Sequence, residues 1–313
     1  MKGIVAIVGL STLCLAAPAA SAQDEDEDMA DPCEGGEVME GDAEAAPEDG
    51  EASGDTAESA PTAEGDGAAA GDAPPMITPK GKIAVDVAVG VNLSSDAVAK
   101  PLSILPDVFY GVADKLEVGL AHSAYAIEGF WGEGRGGGLC LSGEDNGCAK
   151  AYDGPIGLLA RFGLMAGDLE LAADGGVVIR HLSDPMMAGI KVGVRGRKMM
   201  DKLAILFAPN IYIGLTERDA GNKEYLAVPV GVMYAVNAQL RAGVQTGIQG
   251  PLDGFGDGFA IPISLGAMYG INDKMSAGAS FTLHRVTGGS PEGVEGPGAA
   301  DLRGLGLYFS WHN

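Results

Sequence analysis

The stretch KIAVDVAVGVNL, residues 82–93, decides the fold. Ile83, Val85, Val87, Val89, Val91 and Leu93 fall on one face, while Lys82, Ala84, Asp86, Ala88, Gly90 and Asn92 fall on the other. Alternation with period two is the mark of a strand whose two sides meet different surroundings. Length matters as much as pattern here. Strands in globular sheets average about five or six residues, whereas a strand that crosses a bilayer needs about nine to eleven. LAILFAPNIYIGLT, residues 203–216, repeats both properties.

Extending the same test along the chain predicts strands near 82–93, 102–112, 115–125, 154–165, 169–182, 186–197, 203–216, 225–235, 239–249, 259–270, 274–286 and 301–311. An internal repeat sets their phase. FYGVADKLEVG (109–119), MYAVNAQLRAG (233–243) and MYGINDKMSAG (268–278) align without a gap, and each reads as strand, tight turn, strand. The repeat places Tyr110, Tyr234 and Tyr269 at one rim, pointing outward. Joined by Phe309 and Trp311, they form the aromatic girdle expected where amphipathic rings meet lipid headgroups. The longer connections 126–153, 217–224, 250–258 and 287–300 fall at the opposite rim. In bacterial outer-membrane barrels the short turns face the periplasm, so the girdle and both termini are expected on that side.

A soluble sandwich would alternate too, with its apolar side chains turned inward. The second face argues against one, because it holds Gly, Ala and Ser where a solvated sheet needs Lys, Glu and Thr. Beyond the N-terminal leader there is no uninterrupted apolar run of about 18 residues, as a membrane helix requires. A closed barrel is the other structure that satisfies its backbone in lipid. Pro106, Pro209, Pro229 and Pro262 lie inside predicted strands, so bulges or unpaired amides are expected there.

With these features, residues 76–313 resemble the Gram-negative outer-membrane β-barrel proteins. The likeness is to poorly characterised porin-like ones, whose signature is a strand ending YG[VI]xDK[LM] and a final strand with alternating aromatics. The resemblance implies an all-β, transmembrane, antiparallel up-and-down barrel of about twelve strands. It implies outer-membrane lipid and the barrel assembly machinery as partners, and it supplies no catalytic residue and no cofactor. One departure is the ending: Trp311 is followed by His312 and Asn313, where such barrels commonly finish on an aromatic residue.

Ahead of the barrel, residues 1–22 read as a signal peptide, with Lys2, an apolar core from Ile4 to Leu15 and the small-residue site Ala20-Ser21-Ala22. Residues 23–75 read as an acidic, disordered periplasmic tail. They carry much of the formal charge of −23, with the run Asp24-Glu-Asp-Glu-Asp28 and no Lys or Arg. Such a charge balance argues against nucleic-acid binding, and it leaves the tail as a solvated spacer or as the docking segment for a periplasmic partner.

Alternation points Arg161, Glu170, Asp174, Arg180, Lys191, Arg195 and Arg197 into the lumen, with Asp174 expected to face Arg195 on one side and Arg161 on the other. Such a ladder either lines a charge-selective constriction or braces a narrow barrel by neutralising itself. Cys140 and Cys148 bracket a Gly-rich stretch and are expected to pair in an oxidising compartment, leaving Cys33 over. His181 and Ser183 have the residue types of a nucleophilic site, with Asp184 and Asp174 nearby in sequence, but nothing else of an outer-membrane phospholipase pattern is present. The other histidines are isolated, so no metal site is expected. The reading is therefore a non-enzymatic barrel without cofactors, a passive porin-like channel for small solutes. The alternative is a non-conducting structural or adhesion barrel that contacts envelope partners through its tail and its disulfide-bearing loop.

Overall fold

The computed structural model describes residues 75–94, 102–133, 138–142, 151–182 and 185–313, which belong to one compact unit. The expected signal peptide and nearly all of the expected tail lie outside the described residues. The order is β1 (Ile83–Asn92), β2 (Leu102–Ala113), β3 (Leu116–Ala121), α1 (Ala124–Ile127), β4 (Gly138–Cys140), β5 (Tyr152–Asp153), β6 (Ile156–Met165), β7 (Leu169–His181) and β8 (Met187–Met200). It continues through β9 (Leu203–Phe207), β10 (Asn210–Gly214), β11 (Tyr225–Ala235), β12 (Leu240–Pro251), α2 (Phe255–Gly258), β13 (Ala260–Asn272), β14 (Met275–Gly288) and β15 (Arg303–His312).

β9 and β10 both pair with β8 and β11, so they are two halves of one wall strand, parted at Ala208 and Pro209. β4 and β5 form a small flap on the end of β2. Twelve wall strands remain, each antiparallel to its neighbours, and β1 closes the cylinder by pairing with both β2 and β15. Closure leaves no open sheet edge in lipid. The seam is finished by Asn313, whose side-chain oxygen accepts from the Ile83 amide at 2.8 Å while its own amide donates to the Ile83 carbonyl at 3.2 Å. The unexpected C-terminal residue thus locks the first strand to the last.

Polarity is inside out. Leu158, Val192 and Leu265 on the outer wall are 65%, 57% and 59% exposed, and Val177, Ile190, Ile211, Val232, Val244 and Leu307 are exposed with them. Asp107, Glu117, Asp174, Lys191, Gln245 and Ser264 on the inner wall are buried. A continuous apolar band of this kind needs an apolar solvent around it, and buried polar groups need partners inside. Both conditions describe a transmembrane barrel.

The strand prolines behave in different ways. Pro209 breaks its strand, and a register shift lies at Pro262, between Ile261 and Ile263. Pro106 and Pro229 sit in unshifted ladders opposite Val87 and Gly247, so no bulge forms there. The third strand is shorter than its expected span of 115–125, since β3 ends at Ala121 and the chain leaves the wall. Before β1, Thr78 is buried in the short-turn mouth, with its amide donating to Glu117 Oε2 at 2.7 Å. Gly111 leaves the space for this strap, because a Cβ there would lie 2.1 Å from the Pro79 carbonyl oxygen.

Candidate functional site

Residues 122–125 were expected to end the third strand and 126–133 to begin a long outer connection. Instead they cross the lumen. Asp107 on β2 starts the crossing, since its Oδ1 accepts from the His122 and Ser123 amides at 2.6 and 3.0 Å and its Oδ2 accepts from the Ser123 hydroxyl at 2.5 Å. Ser123 then caps α1 by accepting from the Ala126 amide at 3.0 Å, the usual service of a serine at a helix start.

The far wall receives the segment through side chains that find its backbone. Gln245 on β12 accepts from the Trp131 amide at 2.6 Å and donates to the Gly129 carbonyl at 2.9 Å. Thr282 and Ser280 on β14 donate to the Trp131 carbonyl at 2.8 and 3.2 Å, and Asn210 on β10 donates to the Glu128 carbonyl at 2.8 Å. The Trp131 ring lies on the floor formed by Gly231 and Gly266, where added Cβ atoms would sit 3.4 and 3.3 Å from it. The small residues of the inner wall therefore make room for a plug.

Beneath α1 the charge ladder is assembled. Asp174 Oδ2 accepts from Lys191 Nζ and Arg195 Nε, both at 2.6 Å, and Arg161 Nε lies 3.6 Å from Asp174 Oδ1. Arg161 also donates to Glu117 Oε1 at 2.9 Å. The two cations then reach the plug. Arg195 Nη2 donates to the Tyr125 and Ala126 carbonyls at 2.7 and 2.5 Å, and Lys191 Nζ donates to the Ala126 carbonyl at 3.3 Å. These carbonyls lie at the C-terminal end of α1, where a helix presents its carbonyls outward, and that of Tyr125 also accepts from the Gly129 amide at 3.1 Å. Lys191 is only 2% exposed, so its charge depends on these contacts.

Arg161 and Asp174 stand opposite each other in the β6–β7 ladder as expected. Asp174 does not face Arg195: its opposite residue is Gly193, and Lys191 and Arg195 flank it on either side. A register shift between Ile179 and His181 accompanies the change, while the inward parity of all three side chains survives. Glu170 does not join the cluster either, and pairs with Arg197, whose Nε donates at 2.6 Å. Arg180 stands apart, its guanidinium carbon 3.9 Å from the Tyr212 ring centroid and 4.9 Å from that of Tyr225.

Glu117, Asp107, Ser123 and Trp131 complete the site and were missing from the expected ladder, whereas Gln245 lies on the polar inner wall where alternation puts it with Arg241 and Gln249. Glu117 was within reach: it occupies the repeat position of Arg241 and Ser276, so alternation alone turns it inward. Tyr110, Tyr234, Tyr269 and Phe309 are exposed on the outer wall near the short-turn rim, with Trp311 half-buried beside them. Tyr269 donates its hydroxyl to Gln239 at 2.9 Å. Asp201-Lys202 between β8 and β9 adds a further turn of the same DK type at that rim. Cys140 ends β4 and is disulfide-bonded, while Cys148, Ser183 and Asp184 lie outside the described residues. Among the described residues no group of His, Cys, Asp and Glu could hold a metal ion.

No family model matches the chain. No curated protein matches its sequence. Solved structures similar to it include an outer-membrane channel from Pseudomonas putida F1, with 13% identity, a TM-score of 0.44, and coverage of 77% of this chain and 99% of that one. The NanC porin shows 10% identity and a TM-score of 0.44 over 72% of this chain and 97% of its own. An outer-membrane protein of Vibrio cholerae, OmpT, shows 10% identity and a TM-score of 0.39 over 74% and 97%. At these levels the likeness adds nothing on function. From its own closed wall, apolar belt and polar interior, the chain has the fold of the Gram-negative outer-membrane β-barrels.

Proposed function

We propose that this protein is a passive, non-enzymatic channel for small solutes in the bacterial outer membrane, narrowed by residues 122–133. The observation that carries the reading is the wall-to-wall crossing of that segment, fixed by Asp107 on one side and Gln245 on the other. The segment buries Ala126, Ile127 and Phe130, as any filler would, but it is not held by apolar packing alone. It also spends buried charges and amides on its backbone, which holds a constriction at a set diameter. The short-turn rim with its aromatic girdle faces the periplasm in this reading, with residues 23–75 on the same side, and Cys140 pairs with Cys148 in the outer loop.

A second reading is favoured by the same ladder. Arg161, Lys191 and Arg195 are all engaged by carboxylates, which is how a barrel is braced shut. The protein would then be a structural or adhesion barrel whose tail and outer loop meet envelope partners. Planar-bilayer recording separates the two. Wild-type protein is expected to give small stepwise conductances, and a variant with residues 124–132 replaced by a short Gly-Ser linker is expected to give larger ones. Folded wild type without any steps, beside a conducting linker variant, would establish the braced barrel instead.

A further inference from the structure

Arg180 is the cation of the expected ladder that the ladder does not use. It lies at the penultimate position of β7 with its side chain on the inner wall, on the long-loop side of Asp174. Arg161, Lys191, Arg195 and Arg197 each hold a carboxylate. Arg180 makes neither an ion pair nor a hydrogen bond among the described residues; its contacts are the rings of Tyr212 and Tyr225.

The platform beneath it is built. Tyr212 is buried against Gly189, where a Cβ would lie 2.4 Å from the ring carbon that bears the hydroxyl. Its hydroxyl donates to Asn222 Oδ1 at 2.8 Å, and Asn222 in turn donates to the Ala188 and Thr216 carbonyls at 2.9 and 2.7 Å. Tyr212 therefore has a fixed plane. Stacking on it covers a face of the guanidinium and leaves the N–H edge for another partner. A guanidinium carries five donors in a flat fork, and no described residue accepts from those of Arg180. The group that fits such an edge best is a planar carboxylate, which takes two parallel bonds.

We propose that Arg180, backed by Tyr212 and Tyr225, captures small carboxylate solutes on the long-loop side of the plug. The proposal rests on the channel reading and names its solute class. Capture precedes the constriction, so carboxylates gather where the lumen narrows.

The test uses the full chain in planar bilayers with potassium acetate on one side and potassium chloride on the other. The reversal potential then gives the acetate-to-chloride permeability ratio. Arg180→Gln is expected to lower that ratio about threefold, the size of an exposed ion pair. Arg180→Lys, which keeps the charge but loses the fork, is expected to lower it as well while leaving chloride conductance near wild type. An unchanged ratio in Arg180→Gln, or a preference for inorganic phosphate over acetate, overturns the proposal. Loss of all conductance in wild type would instead refute the channel reading. In that case citrate titrated into the folded, detergent-solubilised protein reads the site through tyrosine near-UV circular dichroism. A saturable change that Arg180→Gln abolishes supports the proposal, and no change in wild type overturns it.

Discussion

Asp174→Asn is the sharpest perturbation of the plug. In the wild type three cations, Arg161, Lys191 and Arg195, share two carboxylates, Glu117 and Asp174, so the cluster carries one surplus positive charge. The substitution keeps the shape and raises the surplus to two. Lys191 and Arg195 lose the carboxylate charge at their 2.6 Å contacts and keep the Tyr125 and Ala126 carbonyls and, for Arg195, the Tyr125 ring at 5.2 Å. Removing one partner of a buried ion pair costs about 3–5 kcal/mol. Since 1.36 kcal/mol is a factor of ten, even about 3 kcal/mol shifts the unfolding equilibrium by roughly two orders of magnitude. The chain has two tryptophans, Trp131 in the plug and Trp311 on the outer wall, so Trp311→Phe leaves a reporter of the plug alone. In that background Asp174→Asn is expected to lower the urea midpoint in detergent and to increase acrylamide quenching of Trp131. Adding Lys191→Met, which removes one surplus cation, is expected to restore part of the loss. An unchanged midpoint together with unchanged quenching would refute the idea that the ladder holds the plug.

Two other outcomes follow from the wall. Val192→Arg places a charge in the outer belt and is expected to cost about 2–4 kcal/mol near the bilayer midplane, read as lost stability in lipid vesicles; a change within about 0.5 kcal/mol would mean that the face meets water. Gly111→Val drives a side chain into the strap at Pro79 and is expected to cost about 1–3 kcal/mol and to speed trypsin cleavage after Lys80. Cleavage at the wild-type rate would show that the strap is not held at this point.

Strand existence, facing and turn placement were legible along the chain because each depends on local alternation. Ile83 to Leu93 and the three strand-turn-strand repeats at Tyr110, Tyr234 and Tyr269 carry that information within a few residues, and a closed wall is the structure that satisfies their backbone in lipid. Inward parity was legible in the same way, and it holds for Arg161, Asp174, Lys191 and Arg195. Register was not. It depends on irregularities such as the one-residue shift between Ile179 and His181, which alternation does not reveal, and Asp174 stands opposite Gly193, two positions from Arg195 and on the same face. The plug was least legible of all. Residues 122–133 have no periodicity, and their direction is set by polar partners 114 to 151 positions away, at Gln245, Ser280 and Thr282. The amino-acid sequence by itself determined a barrel with a polar inside and an apolar outside. Only the tertiary structure decided what fills it, because the groups that bind the plug come together only once the cylinder has closed.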